Sequence, residues 1–336
     1  MALDNIQVIF KARPTGWVDE SHFEIRAGTA GEPRAGEVLV KNLYMSVDPY
    51  MRGRMREGRS YVAGFELGKV LEAGVVGVVI ESRDETMPEG TFVTGTLGWE
   101  QYSLARGKGL RKVDPKAAPL SYYLGVLGMP GMTAWVGLET IGKPQPGETV
   151  YVSAASGAVG QVVGQIAKLK GCRVTGSAGS DEKVAYIVGE LGFDAGFNYR
   201  NAESLTKALR EVCPDGIDVY FENVGGKMLD AVLTRVNMHA RIVACGMISQ
   251  YNLARPEGVH NLMTIVGNRV LMRGFIVSDH YDRLPEFEEQ MIGWLGEGKL
   301  HYRETVTEGI ENAPRAFIGM LKGENFGKAV VHVGDA

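Results

Sequence analysis

The sequence predicts an α/β chain of two domains. An all-β, partly barrelled domain covers residues 1–128, with the C-terminal segment 300–336 returning to it. A doubly wound parallel-sheet domain covers 129–299. Three observations carry this. Residues 149–170, TVYVSAASGAVGQVVGQIAKLK, read as strand, small-residue turn and helix. Strand and helix patterns alternate after that point, as crossover connections of a parallel sheet require. Before residue 129 the alternation is absent, and short β-type runs are punctuated by Gly and Pro.

In chain order, strands are expected over 5–10, 23–26, 37–45, 68–81 and 91–97. The strand at 37–44 feeds a loop-like segment, Ser46 to Gly53. There Asp48, before Pro49, reads as a turn cap, and Tyr50 as a pocket or core residue. The run Arg52, Arg54, Arg56 and Arg59 reads as a solvated loop. Glycines paired with Pro130 and Met132 separate the β domain from the α/β domain, and a helix is expected over 133–141. After the strand and helix of 149–170 come a strand at 172–177, a helix from Asp181, strands at 194–198 and 216–221, and a helix at 225–233. Next are a buried strand at 242–246, a late strand at 269–277 and a Glu-rich helix running to Gly298. The tail returns to strand–helix–strand, with an amphipathic helix at 311–322 and a last strand at 328–333.

The turn at 153–160 points to an anionic ligand. Gly157, Gly160 and Gly164 fall where turn meets helix. Missing side chains there let a pyrophosphate reach the first backbone N–H groups, where the helix dipole is positive. Ala154-Ala155 stands where a dinucleotide fingerprint has its first glycine. The end of the next strand reads Gly176-Ser177-Ala178-Gly179-Ser180, without the carboxylate that binds a ribose 2′-hydroxyl in NAD sites. Lys183 stands one turn into the helix, placed either to pair with a 2′-phosphate or as a solvated helix lysine. The missing acid and the nearby lysine favour NADP. Two further strand ends face the same crevice. Asn223 is placed to reach the cofactor or to cap the next helix, and the loop after residue 244 carries Tyr251.

Composition excludes other classes. The net charge of −4 offers no basic field for nucleic acid. No apolar run reaches the roughly 18 residues a membrane span needs. Cys172, Cys213 and Cys245 form no C-x-x-C pair or disulfide framework, so a reducing cytoplasm is the expected home. Six histidines are present, none at i,i+4 spacing or beside a cysteine. Gly64-Phe65-Glu66 resembles the Gly-His-Glu stretch of zinc alcohol dehydrogenases, with phenylalanine in place of the liganding histidine, so no zinc is expected. A G-x-S-x-G nucleophile turn is missing too.

SVDPYMRGRM (46–55), LGMPGMTAW (127–135), AASGAVGQVVGQIAKLKGC (154–172), ENVGG (222–226), CGMISQYN (245–252) and LKGENFGK (321–328) together carry a family resemblance over nearly the whole length. The chain resembles zinc-independent members of the medium-chain dehydrogenase/reductase superfamily. Within it, the chain is similar to the prostaglandin reductase/leukotriene B4 12-hydroxydehydrogenase group, with plant alkenal double-bond reductases and bacterial NADPH-dependent curcumin reductase. The resemblance implies a GroES-like, partly open β-barrel domain, a Rossmann domain, and a cytosolic homodimer joined through the Rossmann sheets. It implies NADP(H) as cofactor and reduction of the C=C bond of α,β-unsaturated aldehydes and ketones as the reaction. Carried onto this sequence, Gly157, Ala158, Val159 and Gly160 hold the pyrophosphate, and Lys183 and Tyr199 the 2′-phosphate side. Thr133, Asn223, Cys245, Gly246, Met247, Ile248, Ser249, Gln250, Tyr251, Phe275, Ile276, Val277 and Asn325 complete the cofactor site. Trp135 departs from the tyrosine expected there.

The expected chemistry is conjugate reduction: hydride adds to the β-carbon, the enolate oxygen is stabilised, and the α-carbon is protonated. Tyr251 is the candidate donor, toward the enolate, the nicotinamide ribose or both, with a crevice-wall tyrosine as the other reading. Tyr50 is the candidate substrate-wall residue. The α-carbon proton has no assigned source. A quinone reductase on the same fold is the alternative function, and a non-catalytic NADP-binding sensor or scaffold ranks behind it.

Overall fold

The computed structural model describes residues 3–336. They divide into two units. One runs to Gly125 and resumes over Glu304–Ala336; the other is Val126–Arg303.

In the first unit, β1 (Asp4–Phe10) pairs antiparallel with β2 (Phe23–Thr29). The centre is β3 (Glu37–Ser46), after which come the one-turn helix α1 (Met51–Arg54), β4 (Glu72–Ser82), β5 (Phe92–Gly98), β6 (Tyr102–Arg106) and β7 (Arg111–Lys112). Alternate β3 residues Val38 and Val40 are fully buried in the unit's core with Val75, Val93 and Trp99. Leu39, on the opposite face, is buried too, so this central strand is covered on both sides. The sequence pattern misses β6 and β7, which are short and lack a clean alternation.

The arginine run is not a solvated loop. Arg56 and Arg59 are exposed, but Arg52 and Arg54 are buried. Arg52 donates to the carbonyls of Gly16 at 2.7 Å and Pro14 at 3.4 Å. Arg54 donates to Ala63 O at 2.8 Å and Glu72 at 2.7 Å. Its guanidinium lies 4.1 Å from the centre of the Phe65 ring. The guanidinium fork satisfies several carbonyls at once, which lets such a charge be buried.

The second unit opens with α2 (Met129–Gly137), not at residue 133 as expected. Pro130 sits in its first turn, where its fixed φ suits a helix and its missing N–H costs nothing. A π-type turn over Leu138–Gly142 then ends it at Lys143, in the left-handed region. In order come β8 (Thr149–Val152), α3 (Gly160–Leu169), β9 (Arg173–Ala178), α4 (Asp181–Gly189), β10 (Ala195–Asn198) and α5 (Leu205–Val212). Next are β11 (Ile217–Glu222), α6 (Gly226–Leu233), β12 (Val236–Ala244), α7 (Met263–Gly267), β13 (Leu271–Gly274) and α8 (Leu284–Gly296). The late strand expected over 269–277 is the short β13, because the chain turns into a 3-10 helix from Val277.

The six strands lie in the order β10-β9-β8-β11-β12-β13, all parallel. Numbered along the chain this is the 3-2-1-4-5-6 order of a Rossmann sheet. Its topological switch, where a crevice opens at the strand ends, lies between β8 and β11. Every residue of β8 is buried, as a strand covered on both faces requires.

The tail completes the first unit with β14 (Glu304–Glu308), α9 (Ala313–Lys322) and β15 (Lys328–His332). The large sheet there runs β14-β15-β3-β4-β5-β7, with β6 on β3. β14 and β7 are its ends, so the barrel is open. Among the described residues no helix is long and apolar enough to cross a membrane.

Candidate dinucleotide site

The crevice begins at the β8–α3 turn. Ala154 sits at φ +49°, a left-handed conformation that costs an alanine about 1–2 kcal/mol. The N–H of Gly157 donates to Ala154 O, and that of Ala155 to Ser177 O, both at 2.9 Å. A Cβ on Gly160 would stand 2.4 Å from Ala154 O and 2.8 Å from the Ala155 Cα. Glycine is needed there because turn backbone and helix backbone touch. Gly157, Ala158 and Val159, all half-buried, form the lip of this turn at the start of α3. Backbone donors and the dipole end of a helix together suit an anion.

The second wall is built on β11 and β12. The Asn223 side-chain amide donates to Ser153 O at 2.8 Å, and its backbone N–H to the Ser153 hydroxyl at 3.0 Å. Asn223 is therefore not the cap of α6; that position is Gly225, with no side-chain cap. The loop after β12 is laced to the same segment. Ile248 N donates to Asn223 O and Ser249 N to Val224 O, each at 3.1 Å. The Ser249 hydroxyl donates to Val224 O at 2.6 Å, and Gln250 Nε2 to the Ser249 hydroxyl at 2.7 Å. Met247 N donates to the Tyr251 hydroxyl at 3.2 Å, which fixes the phenol beside Gly246. Burial pushes the Cys245 thiol up to about 12, so it is no thiolate nucleophile.

The third part lies at the end of β9. Ser180 caps α4 by accepting the Lys183 N–H at 3.2 Å. A Cβ on Gly179 would lie 3.2 Å from the Tyr199 hydroxyl and 3.4 Å from Arg200 Nε. The turn carrying Tyr199 and Arg200 is held by Asn198, whose Oδ1 accepts the Arg200 N–H at 3.0 Å and whose amide donates to Asp181 at 2.8 Å. Burial first, and then the like charge of Arg200, holds the Lys183 ammonium below its ordinary value. Two cations and a phenol thus converge where an NAD site would carry an acid. The sequence pointed to Lys183, the family resemblance added Tyr199, and neither named Arg200, the residue directly after Tyr199.

These residues fit a dinucleotide carrying a 2′-phosphate: a cradle that a Cβ would fill, a helix end, and a cationic corner. The comparisons agree. The family model for the N-terminal domain of oxidoreductase matches residues 7–113, and that for zinc-binding dehydrogenase matches 158–295. The NADP(+)-dependent 2-alkenal reductase of Nicotiana tabacum is 50% identical, covering 98% of both chains. The NADPH-dependent curcumin reductase of Escherichia coli is 44% identical over 98% of this chain and 97% of that one. The crystal structure of CurA from Vibrio vulnificus in complex with NADPH superposes with a TM-score of 0.94 at 43% identity, covering 98% of this chain and all of that one. The chain belongs to the zinc-independent medium-chain dehydrogenase/reductase family.

In this reductase-family chain Phe65, of the Gly64-Phe65-Glu66 stretch, has no side-chain atom that could bind zinc. It is a core residue, packed against Phe10 with ring centres 6.0 Å apart and under Arg54. Among the described residues no group of three or more His, Cys, Asp or Glu side chains is arranged to hold a metal ion. Thr133 is buried, and its hydroxyl donates to Met129 O at 2.7 Å within α2. Trp135 is fully buried; its indole N–H donates to Gln290 at 3.0 Å and Arg283 lies 4.3 Å over its ring. Phe275, Ile276 and Val277 are half-buried just after β13. Tyr50 and Asn325 are in the other unit. Tyr50 is half-buried at the start of α1. Asn325 lies in the α9–β15 turn and donates to Gly327 O at 2.8 Å.

Proposed function

We propose that the protein reduces the C=C bond of α,β-unsaturated aldehydes and ketones with NADPH. The observation that carries this is the cationic β9 corner of Lys183, Tyr199 and Arg200, in a chain half identical over its length to a 2-alkenal reductase. Gly157, Ala158, Val159 and Gly160 receive the pyrophosphate. Asn223, the loop from Cys245 to Tyr251, Phe275, Ile276 and Val277 line the rest of the cofactor, with Thr133 as a further contact; Tyr50, in the other unit, is the proposed substrate-wall residue. When bound, the reduced nicotinamide supplies the hydride taken up by the β-carbon of the substrate.

Tyr251 is the donor toward the developing enolate oxygen. A phenol is a donor as well as an acceptor near neutral pH, and the Met247 N–H holds its oxygen beside Gly246. Tyr251→Phe is expected to lower kcat about 100-fold or more with the KM for NADPH little changed. A kcat near wild type would remove the donor role, and a rise confined to that KM would assign the phenol to the ribose.

The reaction class is tested by NADPH consumption with a 2-alkenal, an aryl enone, a quinone and a saturated ketone. Turnover of the alkenal or enone and none of the ketone is expected. Turnover of the quinone alone would transfer the protein to quinone reduction. Binding of NADPH without turnover of any would make it a sensor.

The same reading includes a cytoplasmic homodimer. Cys172, Cys213 and Cys245 are all free thiols, which suits a reducing compartment. β13 is an edge strand, and Met238, Met263, Val266 and Leu271 on β12, α7 and β13 are each at least half exposed. An unpaired apolar edge is a surface that associates. Light scattering should give a dimer, and Met263→Glu with Val266→Lys a monomer.

A further inference from the structure

The β11 end carries a residue that the cofactor reading leaves without a role. Glu222 is fully buried at the head of the crevice. Its Oε1 accepts the N–H groups of Val224 at 2.6 Å and Gly225 at 2.9 Å, and the Ser153 hydroxyl at 3.3 Å. Its own backbone carbonyl accepts the N–H groups of Cys245 and Gly246, each at 3.0 Å. Four backbone amides from two different loops therefore end on one residue.

We propose that Glu222 is a positioning residue for the cofactor site, setting the β11–α6 loop through its carboxyl and the β12 loop through its carbonyl. The inference rests on the dinucleotide reading of this crevice and deepens it. Its reach extends to Tyr251. Gly225 sits at φ +75°, and a Cβ there would be 2.8 Å from the Met247 Cβ, so the two loops are in contact. Met247 in turn holds the Tyr251 hydroxyl. Moving Val224 and Gly225 shifts the surface that Met247 leans on, and the phenol with it.

The carboxyl is ringed by neutral groups. Ser153, Tyr220, Tyr151 and Cys245 are the groups that face it, all neutral near pH 7. Oε2 is buried without a hydrogen-bond partner. Burial raises the carboxyl above its ordinary value, against the pull of the Gly225 and Val224 N–H groups. Glutamine is the near-isostere that keeps the Oε1 acceptor without the carboxyl's charge.

The test compares Glu222→Gln with Glu222→Ala by NADPH titration, steady-state kinetics and amide hydrogen exchange. The alanine variant is expected to weaken NADPH binding about 10- to 100-fold, since it strands two buried donors. Glutamine should restore affinity to within about fivefold of wild type. In the alanine variant exchange should quicken at Val224 and Gly225, and then at Met247, with or without NADPH. Alanine binding as tightly as wild type, or unchanged exchange at Val224 and Gly225, overturns the proposal. So does a glutamine variant as damaged as alanine, which would assign the role to charge. Wild-type protein that fails to bind NADPH while the exchange pattern holds would sink the cofactor reading alone.

Discussion

Changing Lys183 and Arg200 together to alanine is expected to raise the KM for NADPH about 100- to 1,000-fold and leave that for NADH within about threefold. A hydrogen bond to a charged group is worth about 1.5–3 kcal/mol. Two at one phosphate add less than their sum, because neighbouring cations share a single ligand. The geometry says why they are paired: Arg200 stands beside Gly179, and its charge already weighs on Lys183. Two like charges held together are relieved by a dianion, and NADH brings none. At saturating NADPH kcat should be nearly unchanged, as for loss of uniform binding. The pH dependence has a definite sign. Phosphate prefers the protonated lysine, and Lys183 loses its proton below the ordinary value of 10.5. Affinity for NADPH should thus begin to fall before pH reaches that value, while NADH binding is unaffected by this group. Equal losses for both cofactors would show that the pair supports the fold and does not read the phosphate.

The parts of this site legible in the sequence are those made by neighbours along the chain. The Ser180 cap reaches only Lys183, and the small residues from Ala154 to Gly160 announce a turn whatever surrounds them. The parts that are not legible depend on partners far away in sequence. Arg52 looks like surface until Pro14 and Gly16 present their carbonyls to it. Glu222 looks like the polar end of a strand until Cys245 and Gly246 arrive from the next one. The tail's first strand is expected from the sequence only as part of the strand–helix–strand return, and its bounds come from the parallel pairing of β14 with β15. The place of Asp48 before Pro49 makes it a turn cap, which is a local argument. Its decisive partner comes from near the other end of the chain.

That partner is Lys328, and breaking the pair should destabilise the first unit severely. Asp48 and Lys328 have side chains 6% and 1% exposed, with carboxylate and ammonium 3.2 Å apart. The ammonium also donates to Val47 O at 2.8 Å and Ala329 O at 2.7 Å, and the Ser46 hydroxyl donates to Asp48. Removing one member of a buried pair strands the other charge and costs about 3–5 kcal/mol. Asp48→Asn should lower the melting temperature by about 6–20 °C at roughly 2–4 °C per kcal/mol. Adding Lys328→Met removes the stranded charge, so the double variant should regain more than half of the loss. Burial pulls the lysine below its ordinary value, and Asp48 and then Glu304 oppose this. A lysine with a depressed folded value withdraws stability while it is charged and returns it as pH rises through that value. In Asp48→Asn the depression is deeper, so its deficit against wild type should narrow as pH rises from neutrality toward the lysine's ordinary value of 10.5. Single variants whose losses simply add, with no change across that range, would mean that the pair is spatial coincidence. The consequence for function runs along the chain. Val47 and Asp48 lead directly into Pro49 and Tyr50, so the buried lysine anchors the segment that presents the proposed substrate-wall tyrosine. Enone KM should therefore rise in Asp48→Asn at temperatures where the variant is still fully folded.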